Sequence, residues 1–491
     1  MTGWASTSSS FSSAIVEFLE DLSGGPLPLR VRAWDGSEAG PSDGVVVLLR
    51  SPDAVRYLLW SPGELGVARA YVTGALDVEG DLEAGLSRMF SAMGHRRLRL
   101  SPARAARGVK LIAAMGALGR PLPAPRSEAH LRGRLHSPRR DAQVVSHHYD
   151  ISNEFYSLLL DPSMAYSCGY WAGDRPDYGL ADYGLADHGL ADHGLADHGL
   201  ADHGLAEAQR AKLDLICRKL GLRPGARLLD IGCGWGSLTV HAAREYGAEV
   251  TAVTVAGQQE AFVRARLAEA GVGHLVDLRH CDYREVLASP GARFDAVAAV
   301  EMGEHVGDPN YPAFLSGLHG SLREGGRFLL QVMSRGQRHP GGGPFIERYI
   351  APDMHMRPLA ATLGFIQAAG FEVRDVHAMR EHYARTIRAW AGQLDARWEE
   401  AVRLLGEERA RVWRLYLAGG ALSFEENRMG VDQILCVRTG AGGRSGMDPT
   451  RAGWEGAPAA GAGTGAAGVA AGAAAAREAA REAAARAVAG R

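Results

Sequence analysis

A glycine-rich turn after an apolar run is the stretch best suited to bind a ligand. Residues 226–240 read Ala-Arg-Leu-Leu-Asp-Ile-Gly-Cys-Gly-Trp-Gly-Ser-Leu-Thr-Val. Gly232, Gly234 and Gly236 have no Cβ, so the backbone can bend sharply and approach a ligand, and the helix predicted after them presents free N–H groups. The G-x-G-x-G spacing differs from the G-x-G-x-x-G of dinucleotide folds and favours a smaller adenosine ligand. The alternative is an ordinary strand-to-helix turn.

Polar residues follow three further predicted strands. Thr254 ends the second strand, where a hydroxyl can meet a ribose, and Asp282 and Tyr283 end the third, where an acid and a ring suit an adenine. Residues 301–307, Glu-Met-Gly-Glu-His-Val-Gly, follow the fourth. Each alone is equally a loop or cap residue. Together they predict a pocket for S-adenosylmethionine.

Strands and helices alternate from residue 207 onward, which brings these strand ends together. The pattern predicts an α/β fold with a doubly wound, mostly parallel sheet, and the ligand at the carboxyl ends of its strands. The predicted strands are 227–231, 249–255, 276–279, 294–300, 327–333 and 433–437. The main predicted helices are 237–246, 258–270, 383–394 and 408–424.

The chain is predicted to have four parts. Residues 1–94 form a small N-terminal α/β or α+β domain, with lipid association as a candidate role, strands at 29–32 and 45–49, and helices after Ser51 and over 66–77. A basic linker is predicted at 95–143, and the domain with the S-adenosylmethionine pocket at 144–440. The Gly/Ala-rich tail at 441–491 is predicted to be disordered, with a helix-compatible stretch at 473–488.

Composition excludes several protein classes. The net charge is −2 and the pI is about 6.8, so a nucleic-acid binder, which usually carries a basic excess, is not expected. The five cysteines lack CxxC pairing, which argues against a disulfide framework or a zinc site and favours a reducing cytosol. No apolar run reaches about 18 residues, and residues 1–13 do not resemble a signal peptide. Any membrane contact is therefore expected to be peripheral.

Residues 95–140 form a local basic block, with twelve Lys and Arg residues and one acid, Glu128. Two interpretations are weighted equally: a solvated linker, or attraction to an anionic membrane surface at about 1 kcal/mol per basic residue. Nucleic acid is a weaker third choice, because the aromatic residues needed for base stacking are missing from the block.

Two further segments lie between the basic block and the glycine turn. Residues 144–171 crowd polar and aromatic groups, which favours a lid over a ligand more than a core helix. Residues 177–206 are six copies of Asp-(Tyr/His)-Gly-Leu-Ala. A helix would place successive histidines about 140° apart, and the glycines weaken any helix, so a flexible surface loop is expected, with metal binding the less favoured alternative.

With these motifs in place, the sequence resembles the cyclopropane-fatty-acyl-phospholipid synthase and mycolic acid cyclopropane synthase family over residues 144–440. The matching pieces are His148-Tyr149-Asp150, Tyr166-Ser167-Cys168-Gly169-Tyr170-Trp171, Ala208-Gln209 with Lys212, Leu229 to Gly236, Glu304-His305-Val306-Gly307, Arg348-Tyr349-Ile350 with Pro352, and His382-Tyr383. Matches in the same order over this length are specific for the family, but they do not distinguish its products.

The resemblance implies methyl transfer from S-adenosylmethionine to a cis double bond in an acyl chain of a membrane phospholipid, closing a cyclopropane ring. It implies a bound bicarbonate as base, held by Glu304 and Tyr383 and by the backbone at Cys168 and Met333. No metal is implied. The residues implied to line the cofactor site are Tyr166, Ser167, Asp230, Gly232, Gly234, Gly236, Thr254, Gln259, Tyr283 and Arg284. A cytoplasmic enzyme on the inner face of the membrane is expected, and a homodimer stays open.

Two departures from the family bear on the product. Gln331 stands where the family commonly has a histidine; an amide can hydrogen-bond an anion but cannot carry positive charge or relay a proton. Gly420 stands where relatives carry a cysteine, which excludes covalent cysteine catalysis there. A methyl or methylene branch on the acyl chain, a soluble small-molecule substrate, and a non-catalytic lipid-binding protein therefore remain as alternatives.

Overall fold

The computed structural model describes residues 10–42, 45–93, 101–129, 140, 152–172, 198–288, 293–336 and 341–455. Within them the chain forms a four-stranded and a seven-stranded sheet, with helices packed around both. The motif His148-Tyr149-Asp150 and the repeat copies before His198 lie outside this part of the chain.

The N-terminal sheet has the strand order β2-β1-β3-β4. Its strands are Arg30–Arg32 (β1), Glu38–Ala39 (β2), Val46–Leu49 (β3) and Leu76–Glu79 (β4). The helices of this part are Phe11–Ser23 (α1), Pro52–Trp60 (α2), Glu64–Val72 (α3), Leu82–Met93 (α4) and Pro102–Ala114 (α5). The prediction of one helix over 66–77 was wrong at its end: the chain turns at Gly74, whose φ is +75°, and then forms β4 antiparallel to β3.

The large sheet follows the predicted alternation. Its strands are Arg227–Ile231 (β5), Glu249–Thr254 (β6), Val276–His280 (β7), Phe294–Val300 (β8), Leu322–Arg335 (β9), Glu372–Ala378 (β10) and Met429–Val437 (β11). The first helices of this part are Asn153–Leu159 (α6), His198–Leu220 (α7), Ser237–Tyr246 (α8), Gly257–Glu269 (α9), Tyr283–Ala288 (α10) and Tyr311–Ser321 (α11). The later helices are Pro344–Tyr349 (α12), Leu359–Ala368 (α13), Arg380–Ala396 (α14), Trp398–Leu405 (α15), Glu407–Glu425 (α16) and Ala452–Glu455 (α17).

The strand order of the large sheet is β10-β11-β9-β8-β5-β6-β7. The strands β9, β8, β5, β6 and β7 are parallel, and β11 is antiparallel to both of its neighbours. Strand β6 lies on one side of β5, and β8, which comes later in the sequence, lies on the other side. A crevice therefore opens at the carboxyl end of β5, where ligands bind in doubly wound sheets. The predicted fold class is confirmed.

The apolar sequence of β5 reflects the burial of both faces of this strand. Leu228 packs on one side with Leu238 and Val240 of α8. Leu229 packs on the other side with Phe314 of α11. Such double burial explains the unbroken apolar run before the glycine turn.

The aromatic segment before the repeat is core, not a lid, over its described residues 152–172. Phe155, Tyr156 and Leu159 of α6 are fully buried, and so is Cys168. These side chains pack among the tryptophans of α14 and α16. The free energy gained by burying their apolar area exceeds the cost of removing the polar groups of the segment from water. The prediction of a lid was wrong for this part.

The end of the pentapeptide repeat is also different from the predicted loop. Helix α7 begins at His198, so the last copies belong to a helix that runs on to Leu220. Leu205, in the final copy, is fully buried in the aromatic core. Tertiary packing therefore overrides the low helix propensity of the glycines.

The basic block and the tail are more structured than predicted. Helix α5 lies inside the block and packs on α1, where Arg104 pairs with Asp21 at 2.8 Å. In the tail, Trp454 is buried against Leu215 and Leu435. A large apolar side chain and its pocket are enough to hold residues 441–455, so disorder was wrongly predicted for them.

A buried arginine joins the N-terminal sheet to helix α16. Arg411 of α16 is buried and donates to the carbonyls of Tyr71 and Leu76, at 2.6 and 3.0 Å, and pairs with Asp77 at 3.1 Å. Because a buried guanidinium is costly without such partners, these contacts fix the two parts relative to each other.

No helix in the described residues has the length and apolarity needed to cross a membrane. Those residues also contain no group of three or more potential metal ligands.

Candidate active site

The glycine turn after β5 has the left-handed backbone that favours glycine. The φ angle is +76° at Gly232, +54° at Gly234 and +80° at Gly236. A Cβ at Gly236 would lie 3.0 Å from Val263 of α9, and one at Gly232 would lie 3.2 Å from Met302 after β8. At Gly234 a Cβ would meet nothing within 4 Å among the residues that the structure describes. Gly234 therefore faces open space at the strand end where an adenosine ligand is expected.

Asp230 ties the turn to the helix that follows it. Its carboxyl group is buried and accepts a hydrogen bond from the Thr239 hydroxyl at 2.6 Å. Burial raises the pKa of Asp230 to about 6. This contact holds α8 against β5, and it keeps the N-terminus of α8 directed at the crevice.

The next strand ends bring the other predicted cofactor residues to the same edge of the sheet. The Thr254 hydroxyl donates to Gln259 Oε1 at 2.9 Å, so the two residues orient each other at the end of β6. Tyr283 meets the Phe314 ring edge to face at 5.2 Å, and the Arg284 guanidinium stands 5.0 Å from the Tyr283 ring centre. These contacts give polar groups beside β6 and an aromatic face beside β7.

Tyr166 and Ser167 lie on the opposite wall, held from α7. Lys212 donates to Ser167 Oγ and Gln209 donates to the Ser167 carbonyl, both at 2.8 Å. Lys212 is almost fully buried, and burial lowers its pKa while the carboxylate of Glu301 raises it. The Tyr166 ring packs 5.2 Å from that of Trp390. Lys212 belongs to one of the matching motifs, but its place in the site is not evident from the sequence.

Glu301, at the end of β8, is at the centre of the polar part of the site. Its Oε1 accepts from the Cys168 backbone N–H at 2.9 Å and from Gln331 Nε2 at 2.7 Å. Its Oε2 accepts from the Tyr383 hydroxyl at 2.6 Å. Burial raises the pKa of Glu301, and the three donors act against that rise because they stabilise the charged form.

The backbone of Glu301 is strained into this position. Its φ is +50°, a left-handed conformation that a non-glycine residue seldom adopts and that costs about 1 kcal/mol or more. The strain turns the side chain toward donors on three different elements. Such strain is characteristic of functional sites.

Glu304 has a different environment from Glu301. It is fully buried; its Oε1 accepts from the Met333 backbone N–H at 2.6 Å, while Oε2 has no hydrogen-bond partner in the described residues. Burial, followed by the charge of Glu301, raises the pKa of Glu304 to about 8. One carboxyl of the pair is therefore protonated at neutral pH.

The predicted bicarbonate does not fit this arrangement. It was expected to be held by Glu304 and Tyr383 with the backbone at Cys168 and Met333. In the structure, Tyr383 and the Cys168 N–H donate to Glu301, and the Met333 N–H donates to Glu304. Two carboxyl groups of the chain itself, those of Glu301 and Glu304, therefore occupy the donors assigned to the anion.

Of the other predicted catalytic residues, Gln331 does donate a hydrogen bond to an acidic group, but that group is Glu301. Cys168 contributes its backbone rather than its thiol: burial raises the pKa of the thiol well above its ordinary value. The signal that could have identified Glu301 was its place as the first residue after a buried parallel strand, three residues before Glu304.

Comparison with known proteins identifies the family of the chain. The family model for mycolic acid cyclopropane synthetase matches residues 136–434. The chain belongs to this family. A probable fatty acid methyltransferase of Mycobacterium tuberculosis is 35% identical over 454 residues, covering 90% of this chain and 98% of that protein. The cyclopropane-fatty-acyl-phospholipid synthase of Escherichia coli is 31% identical over 304 residues, covering 62% and 70%.

Among solved structures, a mycolic acid cyclopropane synthase complexed with S-adenosylhomocysteine and CTAB is 29% identical. The match covers 60% of this chain and 97% of that one, with a TM-score of 0.51. The protein is therefore an S-adenosylmethionine-dependent methyltransferase of this family, and S-adenosylmethionine is its cofactor. The family chemistry is methylation or cyclopropanation of lipid acyl chains. The open space at Gly234 and the groups at the ends of β6 and β7 fit that cofactor.

Gly234→Ala tests the position of the cofactor. The left-handed φ should cost about 1 kcal/mol of stability. The added methyl group would enter the expected ligand space and weaken S-adenosylmethionine binding, measured by calorimetry, by roughly tenfold or more. Gly225→Ala is the matched control, because Gly225 also has a positive φ (+76°) and open surroundings but precedes β5. Equal cofactor affinity in the two variants would contradict this assignment.

Glu304→Gln tests the protonated carboxyl. A folded-state pKa of about 8, above that of the unfolded chain, means that the native protein binds an extra proton between about pH 5 and 8. The free energy of unfolding should therefore fall with rising pH in that window by up to about 1.4 kcal/mol per pH unit more than in Glu304→Gln. Urea unfolding at pH 6, 7 and 8 measures the difference, and parallel pH profiles would refute it.

Proposed function

We propose that this protein transfers a methyl group from S-adenosylmethionine to a cis double bond in an unsaturated acyl chain of a membrane phospholipid, and that Glu301 is the proton acceptor. The observation that carries the proposal is the Glu301 carboxylate, which is held by three donors beside the glycine turn. The turn is close, because Met302, the next residue, would touch a Cβ at Gly232.

The alkene of the acyl chain is a poor nucleophile, and the protein must compensate for this. S-adenosylmethionine supplies an electrophilic methyl group, and an alkene that accepts it is left with a positive charge on the neighbouring carbon. Aromatic rings near Tyr166, chiefly those of Trp390 and Tyr383, exclude water. Their π faces stabilise a cation. The negative charge of Glu301 adds to that stabilisation.

Glu301 completes the reaction by taking one proton from the acyl chain. If the electrons of that C–H bond close on the cationic carbon, a cyclopropane ring forms. If a hydrogen with its electron pair first shifts to the cationic carbon, loss of a proton from the new methyl group leaves a methylene branch. Either product contains one CH₂ more than the substrate.

We favour the branched product. The similar protein of M. tuberculosis is named a fatty acid methyltransferase, and Glu301 and Gln331 replace the bicarbonate and histidine that the resemblance connects with ring closure. Ring formation is the second candidate, supported by the family itself and by the E. coli relative.

The products are distinguished by mass spectrometry. Vesicles of dioleoyl phosphatidylglycerol are incubated with the protein and with methyl-labelled S-adenosylmethionine, and the recovered acyl chains are treated with ozone. A gain of CH₂ in an ozone-sensitive chain supports the branch, and the same gain in a resistant chain supports the ring. Absence of label in lipid would overturn both and favour a soluble substrate or a non-catalytic lipid-binding protein.

Glu301→Gln should abolish turnover, by about 10³-fold or more, since it removes both the base and the negative charge. Affinity for S-adenosylmethionine should change little. Glu372→Gln, at a surface pair with Arg374 on β10, is the control. Wild-type activity should also persist in buffer stripped of bicarbonate. An active Glu301→Gln variant, or activity that requires added bicarbonate, would refute Glu301 as the base.

A phospholipid substrate requires contact with a membrane surface, and we infer that the end of α2 makes it. Trp60 and Leu118 are more than half exposed, at 51% and 53%, and Leu59 is 38% exposed. They are neighbours, because Trp60 Nε1 donates to the Gly119 carbonyl at 3.0 Å. An exposed tryptophan with large aliphatic neighbours is typical of an interfacial anchor.

Two basic residues lie beside this apolar patch. Arg56 donates to the carbonyl of Arg120 at 2.8 Å, which places both beside Trp60, and Arg120 is exposed. The charge matches an anionic bilayer, with about 1 kcal/mol for each basic residue near the surface.

The double variant Trp60→Ser, Leu118→Ser tests the contact. Loss of two exposed apolar side chains that would insert into the bilayer should weaken binding to phosphatidylglycerol vesicles by tenfold or more in a sedimentation assay. Activity on detergent-dispersed substrate should not change. Leu404→Ser, at a 40% exposed leucine of α15, is the control. Unchanged vesicle binding in the double variant would refute this surface.

A further inference from the structure

We propose that Gln433 on β11 is a positioning residue that fixes the direction of the Gln331 amide and so keeps Glu301 in the charged form that accepts the proton. The proposal rests on the role of Glu301 proposed above. Gln433 touches neither cofactor nor substrate in this assignment; it acts through Gln331.

The three residues form one chain of hydrogen bonds. Gln433 Nε2 donates to Gln331 Oε1 at 3.0 Å, and Gln331 Nε2 donates to Glu301 Oε1 at 2.7 Å. Gln331 and Gln433 are both fully buried and stand directly opposite each other in the antiparallel pair of β9 and β11. Backbone register therefore holds the two amides side by side.

An amide has a donor end and an acceptor end, so its direction decides its electrostatic effect. If the Gln331 amide turned over, its carbonyl oxygen would face the carboxylate of Glu301 and repel it. Its NH₂ group would at the same time face the NH₂ group of Gln433. The donor from Gln433 thus makes the reversed arrangement unfavourable at both ends.

The arrangement is maintained at a cost. Gln433 Oε1 is buried and has no hydrogen-bond partner in the described residues. A reversed Gln433 would instead place that oxygen against Gln331 Oε1. Because a buried unsatisfied acceptor is unfavourable, its presence indicates that the direction of donation matters more here than complete pairing.

The other groups near this chain cannot set its direction. His377, opposite Gln433 on β10, has its pKa lowered to about 4 by burial and by Lys219, so the ring is neutral at neutral pH. The titratable groups that interact with Glu301 itself in the described residues are Glu304, Tyr383, Cys168, Lys212 and Tyr416. They stand on the loop after β8, on α14, on the segment before α7, on α7 and on α16, and none belongs to β11.

Gln433→Leu and Gln433→Glu separate positioning from packing. Leucine removes the donor, and glutamate exchanges the donor for an acceptor that favours the reversed Gln331 amide. We expect the acid limb of the kcat–pH profile to move upward by about one pH unit in Gln433→Leu and further in Gln433→Glu, with kcat at pH 7 reduced about tenfold or more. The Kd for S-adenosylmethionine should stay within about threefold of the wild-type value. The midpoint of the kcat–pH profile does not depend on the fraction of folded enzyme, so a shift would not arise from a loss of packing.

A double-mutant cycle completes the test. In a Gln331→Leu background, Gln433→Leu should cause no further loss of kcat, because its effect passes through Gln331. An unshifted pH profile in both Gln433 variants, or additive losses in the cycle, would overturn the positioning role. If Glu301→Gln itself remained active, the proposed base would fail instead, so the two failures are distinguishable.

Discussion

The site depends on hydrogen bonds that oppose the effect of burial on one carboxyl group in a largely apolar interior. Burial raises the pKa of Glu301, and three donors from the segment before α7, from β9 and from α14 act against that rise. Without such donors burial would raise the pKa of this group further. The packing of these elements therefore has to be accurate to within hydrogen-bond distance, which explains why the segment around Cys168 is core rather than a mobile cover.

The neighbouring Glu304 shows the other outcome for a buried acid. It has one backbone donor and the charge of Glu301 nearby, and its pKa is raised to about 8. Two carboxyl groups three residues apart thus have different environments, because three donors oppose the effect of burial at Glu301 and only one backbone donor does so at Glu304. Enzymes use such differences between neighbouring carboxyl groups to give them different pKa values.

The N-terminal sheet is tied to the same scaffold. Arg411, on the helix behind the large sheet, donates to backbone carbonyls around α3 and β4, and Arg69 pairs with Glu128 at 2.6 Å. The Tyr349 hydroxyl also donates to Glu128, at 2.9 Å. A lipid held by the surface near Trp60 would therefore have a fixed relation to the crevice at β5.

Sequence alone determined the features that are local. Alternating apolar runs and helical segments predicted the α/β sheet, and strand β8 and helix α8 have the predicted bounds, because strand and helix periods are set by neighbouring residues. The glycine turn was equally evident, because a left-handed backbone is a property of single residues. Residue order along the chain also predicted which strand ends would meet.

Only the tertiary structure decided which glutamate receives the donors. Glu301 is 133 residues from Cys168, 82 from Tyr383 and 30 from Gln331, and its own backbone is strained toward them. No local pattern records such a convergence. The same holds for Trp454, whose pocket is formed by residues of α7 and β11. It also holds for the last repeat copies, whose glycines predict a loop, although Leu205 packs in the core. Where a side chain belongs is decided by the free energy of contacts between distant elements, and these exist only once the chain has folded.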